Sequence, residues 1–310
     1  MTKDSDEDYR RLIDGDPGLG LLAQAPRQHR QRLATALRIE LESAQAAGML
    51  GYQARLLVQC SLPYRQQLIN EWTRINGNVT LTLLAPKAIG LPYGAYPRLI
   101  LTWVTTEAVR KQQRVLDLDE SMTGFIRAVG ISAHATGPQI RRFKEQLRRL
   151  FATTVMSSLE DAHFAHDTGF RLASELHMWW DPSTMAMSGT PARVVLTEEF
   201  YRAITDRPVP MNIEALKAIK GSALALDIYC WLVYRLSYLK QSTTIPWELL
   251  QLQFGSEYAA TRSGRYAFKK DFQEQLREVI TMYPMAKITA DQRQGITLYP
   301  SPMAIARRSE

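Results

Sequence analysis

The chain has 310 residues, 45% of them apolar and 22% charged, which is enough for two ordinary domains and too apolar for wholesale disorder. Its 38 Lys and Arg against 31 Asp and Glu leave a net charge of +7, a balance that suits an anionic partner and equally a plain soluble basic protein. Only Cys60 and Cys230 occur, no apolar run is long enough for a membrane span, and the acidic start MTKDSDEDYRRLIDGDPG is no secretory signal; a disulfide scaffold is excluded and a reducing cytoplasm expected.

Residues 1–28 are acidic, polar and punctuated by Gly and Pro, and read as a mobile arm. RQRLATALRIELESAQAAGML (30–50) has helical composition, stopping at Gly48 and Gly51, so residues 1–50 form an arm and a helix ahead of the first globular unit. ARLLVQCSL (54–62) and NVTLTLLA (78–85) are strand-like, with the NGN turn signal at 76–78 before the second. After the GLPYGAYP loop, RLILTWVTTEAVRKQQ predicts a helix behind Pro97, and RVLDL a short extended piece. DESMTGFIRAVGI predicts a short helix capped by Ser121 and stopped at Gly130. GPQIRRFKEQLRRLFATTVMSSLED predicts one long helix with Pro138 in its first turn. FRLASELHMWW and ARVVL predict a hairpin across the turn-rich DPSTMAMSGTP.

From Thr197, a cap candidate for the helix TEEFYRAI, the order returns. RPVP breaks the chain, and NIEALKAIKGSALALDIYCWLVYRLSYLKQ gives one or two helices around Gly221–Ser222. TTIPWELLQLQFG is a strand-like step and a short helix; RSGRYAFKKDFQEQLREVITMYP is a long helix; AKITADQRQGITLYP is a hairpin turning near Asp291–Gly295.

Two phrases are nearly the same, FKEQLRRLF at 143–151 and FQEQLREVI at 272–280. Trp103 and Trp231 stand at almost equal distances before Phe143 and Phe272, on helices ending in RKQ and LKQ. A match that keeps flanking order and spacing points to internal duplication. The expected architecture is α+β: two tandem winged helix-turn-helix domains, 51–196 and 197–310, each with three helices followed by a hairpin wing.

In such a module the last helix of the trio enters the major groove. In the second long helix Phe268, Phe272, Leu276, Val279 and Ile280 make the apolar stripe, while Arg262, Arg265, Tyr266, Lys269, Lys270 and Gln273 cluster toward its start. Arg and Gln can read base edges, and Lys neutralises phosphate. Cations at a helix N-terminus oppose the macrodipole, which favours an external anion there. Lys287 and Arg293 on the hairpin are candidates for phosphate or minor-groove contacts. The first long helix would bury Ile140, Phe143, Leu147, Leu150 or Phe151, and Val155, and expose Arg141, Arg142, Lys144, Arg148 and Arg149 for backbone tracking or base reading. The alternating strand NVTLTLL offers an edge for pairing two copies across a two-fold axis.

VTLTLLAPKAIGLPYGAYPRLILTWVTTEAVR, LALDIYCWLVYRL, TIPWELLQLQFG and FQEQLREVITMYPMAKITADQRQGITLYPSP together resemble RepA-type plasmid replication initiators over about residues 50–305. The resemblance implies two winged-helix domains on double-stranded DNA, at repeated sites (iterons) of a plasmid origin in a bacterial cytoplasm. It implies a homodimer through the first domain, repression of the protein's own gene, and recruitment of a host initiator and helicase. It places Arg262, Arg265, Lys269 and Lys270 on the reading helix of the second domain, and Arg141, Arg142, Lys144 and Arg148 on its counterpart.

No phosphate-binding GxxxxGK[ST] loop and no GxSxG elbow occurs, so neither ATP hydrolysis by that route nor a serine nucleophile is expected. The His163 and His166 pair, with Asp161 and Asp167 nearby, lacks a third soft ligand and is read as surface histidine. Tyr229, Trp231, Tyr234 and Tyr238 are read as core rather than a stacking platform. The expectation is a non-enzymatic initiator without metal or cofactor. The competing readings are a winged-helix transcriptional repressor bound at a palindrome, and a metal-dependent nicking enzyme.

Overall fold

The computed structural model describes residues 50–53, 61–76, 79–119, 121–131, 134–161, 164–178, 192–206, 208–259 and 261–304. In chain order the elements are β1 (Leu50–Gln53), β2 (Glu71–Asn76), β3 (Val79–Leu84), α1 (Ala95–Lys111), β4 (Val115–Asp117), α2 (Met122–Ala128), α3 (Gly137–Ala152), β5 (Thr154–Asp161), β6 (Phe164–Arg171), β7 (Ala173–His177), β8 (Arg193–Leu196) and α4 (Glu198–Thr205). There follow β9 (Val209–Asn212), α5 (Ile213–Ala218), α6 (Ala223–Leu236), β10 (Thr243–Pro246), α7 (Trp247–Phe254), α8 (Arg262–Met282), β11 (Ile288–Asp291) and β12 (Gly295–Leu298). The mixture is α+β. The expected arm and helix of 1–50, apart from Leu50 itself, and residues 54–60 of the first expected strand lie outside the described residues; Ser61 and Leu62 are not in a strand.

Capping side chains set the helix starts, because the first amides of a helix have no partner inside it. Ser121 accepts from the Gly124 amide at 3.0 Å and opens α2, and Gly130, at φ 87, ends that turn as expected. Thr197 accepts from Phe200 N at 3.3 Å, Ser222 from Ala225 N at 3.2 Å, and Thr261 from Gly264 N at 3.2 Å. Gly221–Ser222 therefore divides the apolar stretch into two helices, α5 and α6.

One topology occurs twice. In the first half α1, β4, α2, α3, β7 and β8 follow one another, and the strands form a sheet in the order β4-β8-β7. In the second, α6, β10, α7, α8, β11 and β12 do the same in the order β10-β12-β11. Each core carries the same relay of rings. Trp103 on α1 meets Phe125 on α2 edge-on at 4.9 Å, and Phe125 meets Phe143 on α3 at 5.5 Å. Trp231 on α6 meets Phe254 on α7 at 5.5 Å, and Phe254 meets Phe272 on α8 at 5.4 Å. Edge-to-face contacts of this kind contribute about 0.5–1.5 kcal/mol each beyond area burial. The leading Phe of each repeated phrase is thus the residue that ties a long helix to its short neighbour.

The halves differ by an insertion. The helix expected to run on to Asp161 stops at Ala152, and TVMSSLED is the strand β5. Thr153 is already extended at φ −80 and ψ 135, the β-branched Thr154 and Val155 follow, and burial alternates from Val155 to the exposed Met156. β5 and β6 pair antiparallel and join the β2–β3 hairpin in a four-stranded sheet, β2-β3-β5-β6. The hairpin expected from FRLASELHMWW and ARVVL forms as β7–β8, after this insertion. β3 holds β2 on one side and β5 on the other, so the strand expected to pair across a two-fold axis has no free edge.

The halves are interlocked. β1 pairs with β9. α1 packs against β1, α3, α4 and α6, and β2 against α7. The Lys220 ammonium donates to the carbonyls of Gly130 and Ile131, just beyond α2.

Candidate nucleic-acid interface

α8 buries Phe268, Phe272, Leu276, Val279 and Met282 and leaves the opposite side to solvent. Arg262, Tyr266, Lys269 and Gln273 follow one another at helical spacing along that side, with Arg265 and Lys270 beside them. Arg262, Arg265 and Lys270 are exposed, and Tyr266 is 72% exposed with no ring partner among the described residues. No carboxylate pairs with Arg262, Arg265 or Lys270 among the described residues, and the first turn of α8 holds no acidic residue. The start of α8 therefore presents uncompensated positive charge where the helix macrodipole already points its positive end.

The close approach of Gly264 to the Ala259 carbonyl fixes where this helix begins: a Cβ at 264 would collide with that oxygen. The β11–β12 hairpin is fastened to the same end. Trp247 Nε1 donates to the Asp291 carbonyl at 2.8 Å, and Lys269 lies 5.5 Å over the Trp247 ring with Nζ 3.4 Å from Gln292 O. The Asp291 carboxylate accepts from Arg293 N at 2.7 Å and Gln294 N at 2.6 Å, and these amides hold its carboxyl below the usual range. The turn thus carries the exposed Arg293 to the basic end of α8. Lys287 precedes the other end of the hairpin, about 13 Å away by strand rise, and does not join this group. Lys269 and Gln273 are half-buried; Lys269 also supports the β11–β12 hairpin.

In the first half, Arg141, Lys144 and Arg148 share one side of α3, with Arg141 and Arg148 exposed and Lys144 half-buried. Arg142 leans 5.8 Å over the Tyr93 ring. Arg149, expected among the exposed cations, is buried. Its Nη2 pairs with Glu145 at 2.6 Å, its Nη1 donates to Leu91 O at 3.1 Å, and it stacks 5.4 Å over Tyr93. The reason is the GLPYG loop, which crosses α3 there and is also held by Tyr93 N donating to Gln146 Oε1 at 2.8 Å. This helix is basic on one face only, and more weakly than α8.

Sequence reasoning missed Arg277, exposed on α8 seven residues after Lys270 and on the same side, though the heptad spacing was there to read. It also missed Trp247 as the anchor of the hairpin. Tyr229 and Trp231 are buried as expected, Tyr234 is half-buried, and Tyr238 is 47% exposed with its hydroxyl accepting from Arg235 at 2.8 Å. His163 and the side chain of His166 lie outside the described residues.

Residues 91–249, just over half of the chain, match the family model for plasmid encoded RepA protein. The chain belongs to this RepA family. That is the family the sequence resembles, and membership supports a role in initiating plasmid replication. The matched stretch runs from the GLPYG loop to α7 and stops before α8. Among solved structures, this chain is similar to domains 2 and 3 of RctB, crystallised as the selenomethionine derivative. The TM-score is 0.52 at 10% identity, covering 82% of this chain and 97% of that one. A second RctB structure of domains 2–3 gives a TM-score of 0.47 at 12% identity, covering 79% and 94%. The first likeness concerns the fold. No curated protein matches this chain significantly. No helix among the described residues is long and apolar enough to cross a membrane.

Proposed function

We propose that this chain is a plasmid replication initiator. It binds repeated sites (iterons) in double-stranded origin DNA with α8 as the main reading helix. The observation that carries the reading is the start of α8, where Arg262, Arg265, Tyr266 and Lys270 are exposed without a carboxylate partner among the described residues and the Arg293 turn is fastened alongside. In this reading the two halves are winged-helix modules descended from one ancestor; the doubled strand order and the doubled Trp–Phe–Phe relay support it. Arg265 and Arg262 would take base edges, Lys270 and Arg293 phosphates, and Arg141, Lys144 and Arg148 of α3 would track the backbone of a neighbouring segment. The two modules comprise residues 51–196 and 197–310.

Opening of the duplex is then driven by binding energy and DNA bending at deformable steps, without enzymatic chemistry or a cofactor. The host initiator and helicase load on the opened region in the bacterial cytoplasm. Repression of the protein's own gene follows from binding an inverted repeat at its promoter. Two copies associate through the first half, by the outer edges of β2 or β6, since β3 is interior.

The test is footprinting on DNA flanking the protein's own gene, with wild type and an Arg265→Ala/Lys270→Ala variant. Both residues are exposed and have no ion-pair partner among the described residues, so the variant keeps its fold. Protection of regularly spaced direct repeats, lost in the variant, is the expected result. Protection of a promoter inverted repeat alone means a repressor, and no specific protection by folded wild type removes the DNA reading.

A further inference from the structure

We infer that Arg98 and Asp227 form a positioning pair that fixes the second half on the first, so that the chain accepts only one spacing between the DNA segments its two halves contact. The inference rests on the DNA reading above for its consequence, though not for its geometry. Arg98 comes from the GAYPRL phrase in the first turn of α1, and Asp227 from LALDIY on α6. The two phrases stand far apart in the chain and meet here as a fork on a carboxylate. Nε reaches Oδ1 at 2.7 Å, and Nη2 reaches Oδ2 at 2.7 Å. Their side chains are only 5% and 12% exposed.

The remaining guanidinium hydrogens are also taken. Nη1 donates to Gly94 O at 2.7 Å and Pro63 O at 3.3 Å, and Nη2 donates to Leu62 O at 2.6 Å. All five donors of the side chain thus have acceptors, on three separate pieces of chain. Tyr64 covers the guanidinium face at 4.9 Å. Burial works against the charge on Arg98, and the Asp227 carboxylate overcomes it, so the group stays protonated.

The same segment grips the second half further on. Ser61 Oγ donates to Gln253 O at 3.3 Å, Arg74 donates to that same carbonyl, and Arg65 N donates to Glu257 Oε1 at 2.6 Å. Gln253 and Glu257 sit at the end of α7, whose Phe254 ring touches Phe272 of α8 at 5.4 Å. Arg98 therefore anchors α6 directly, and the 61–65 strip that braces α7 and through it α8.

A buried ion pair is a poor device for raising stability, because desolvation consumes most of what the attraction gives. A two-pronged fork does fix an angle, which an apolar contact of the same size does not. Rigid halves read DNA at one helical phase, since a duplex turns once in about 10–10.5 bp.

The experiment uses the full chain as wild type and as Arg98→Met/Asp227→Leu, an apolar pair of similar volume. Probes are the footprinted repeat and versions with 5 or 10 bp inserted between the segments that α8 and α3 protect. Wild type should lose at least about tenfold in affinity at 5 bp and recover part of it at 10 bp. The variant should discriminate between spacings by no more than about threefold. Equal discrimination by both proteins overturns the inference, whereas absence of footprint with wild type overturns the DNA reading instead.

A second arm needs no DNA. With Cys60→Ser and Cys230→Ala as background, spin labels at Arg127→Cys on α2 and Glu248→Cys on α7 should report one narrow distance in wild type. They should report a broadened one in the variant. If the double variant does not fold, Arg98→Lys, which keeps the charge and loses the fork, is measured in its place. An unchanged narrow distance overturns the pair's role.

Discussion

Phe272→Ala and Arg265→Ala should separate the two sides of α8. Phe272 has no exposed surface, and its ring lies among those of Trp247 at 6.0 Å, Phe254 at 5.4 Å and Phe268 at 5.5 Å. Truncating a phenylalanine in such a place costs about 3–5 kcal/mol, from lost transfer energy and the cavity left behind. Against a total stability of about 5–15 kcal/mol, a loss of that size should move unfolding to far lower urea. Arg265 is exposed and its side chain has no partner among the described residues, so Arg265→Ala should change stability by less than about 0.5 kcal/mol while abolishing specific protection of DNA. Urea titration followed by tryptophan fluorescence reads the first quantity, since Trp231 and Trp247 both lie in this core. Phe143→Ala provides the matching measurement in the first half, where Phe125 and Tyr96 flank the ring at 5.5 and 5.8 Å. A loss below about 1 kcal/mol for Phe272→Ala would refute the assignment of this face to the core.

Lys270→Ala should weaken binding to all sequences alike and reduce the slope of log affinity against log salt by about 1, read from titrations at several salt concentrations; an unchanged slope means that Lys270 meets no phosphate. Gly295 sits at φ 135 with the Ile245 carbonyl where a Cβ would go, so Gly295→Ala should cost about 1–3 kcal/mol in thermal unfolding and loosen the Arg293 turn. Tyr283 is pushed up to about 12 by burial, its hydroxyl donating to Pro302 O at 2.6 Å. Because the folded state keeps a proton that the unfolded state releases near 10, stability holds below pH 10 and declines as pH rises toward 12. Tyr283→Phe should flatten part of that decline in urea midpoints taken across the range. Sedimentation should show concentration-dependent association; a monomer at every concentration removes the homodimer.

Much of the fold was legible because it is local. Ser121 and Thr197, read as caps, do cap helices through hydrogen bonds spanning three residues, the break read at Gly221–Ser222 separates two helices, and Asp291–Gly295 makes its own turn. The basic start of α8 and the buried Phe268, Phe272, Leu276 and Val279 follow from helical spacing alone, while Ile280, expected beside them, is half-buried and Met282 is buried instead. The strand β5 was not legible in the same way. TVMSSLED continues a helix's composition, and its extended form is decided by pairing with β3, whose register no local rule gives. Arg149 was misplaced for a related reason. Its spacing puts it among the other cations, and only the GLPYG loop crossing α3 turns it into a buried donor.

The sequence by itself determined two similar units, the faces of their long helices, and a family. Tertiary structure decided what those units do to each other. It placed β3 inside a sheet, buried Arg149 under the GLPYG loop, and brought Arg98 to Asp227. These are contacts between residues remote in the chain, selected by the burial of whole faces and by the need of each buried charge for a partner, and neither periodicity nor composition carries that information.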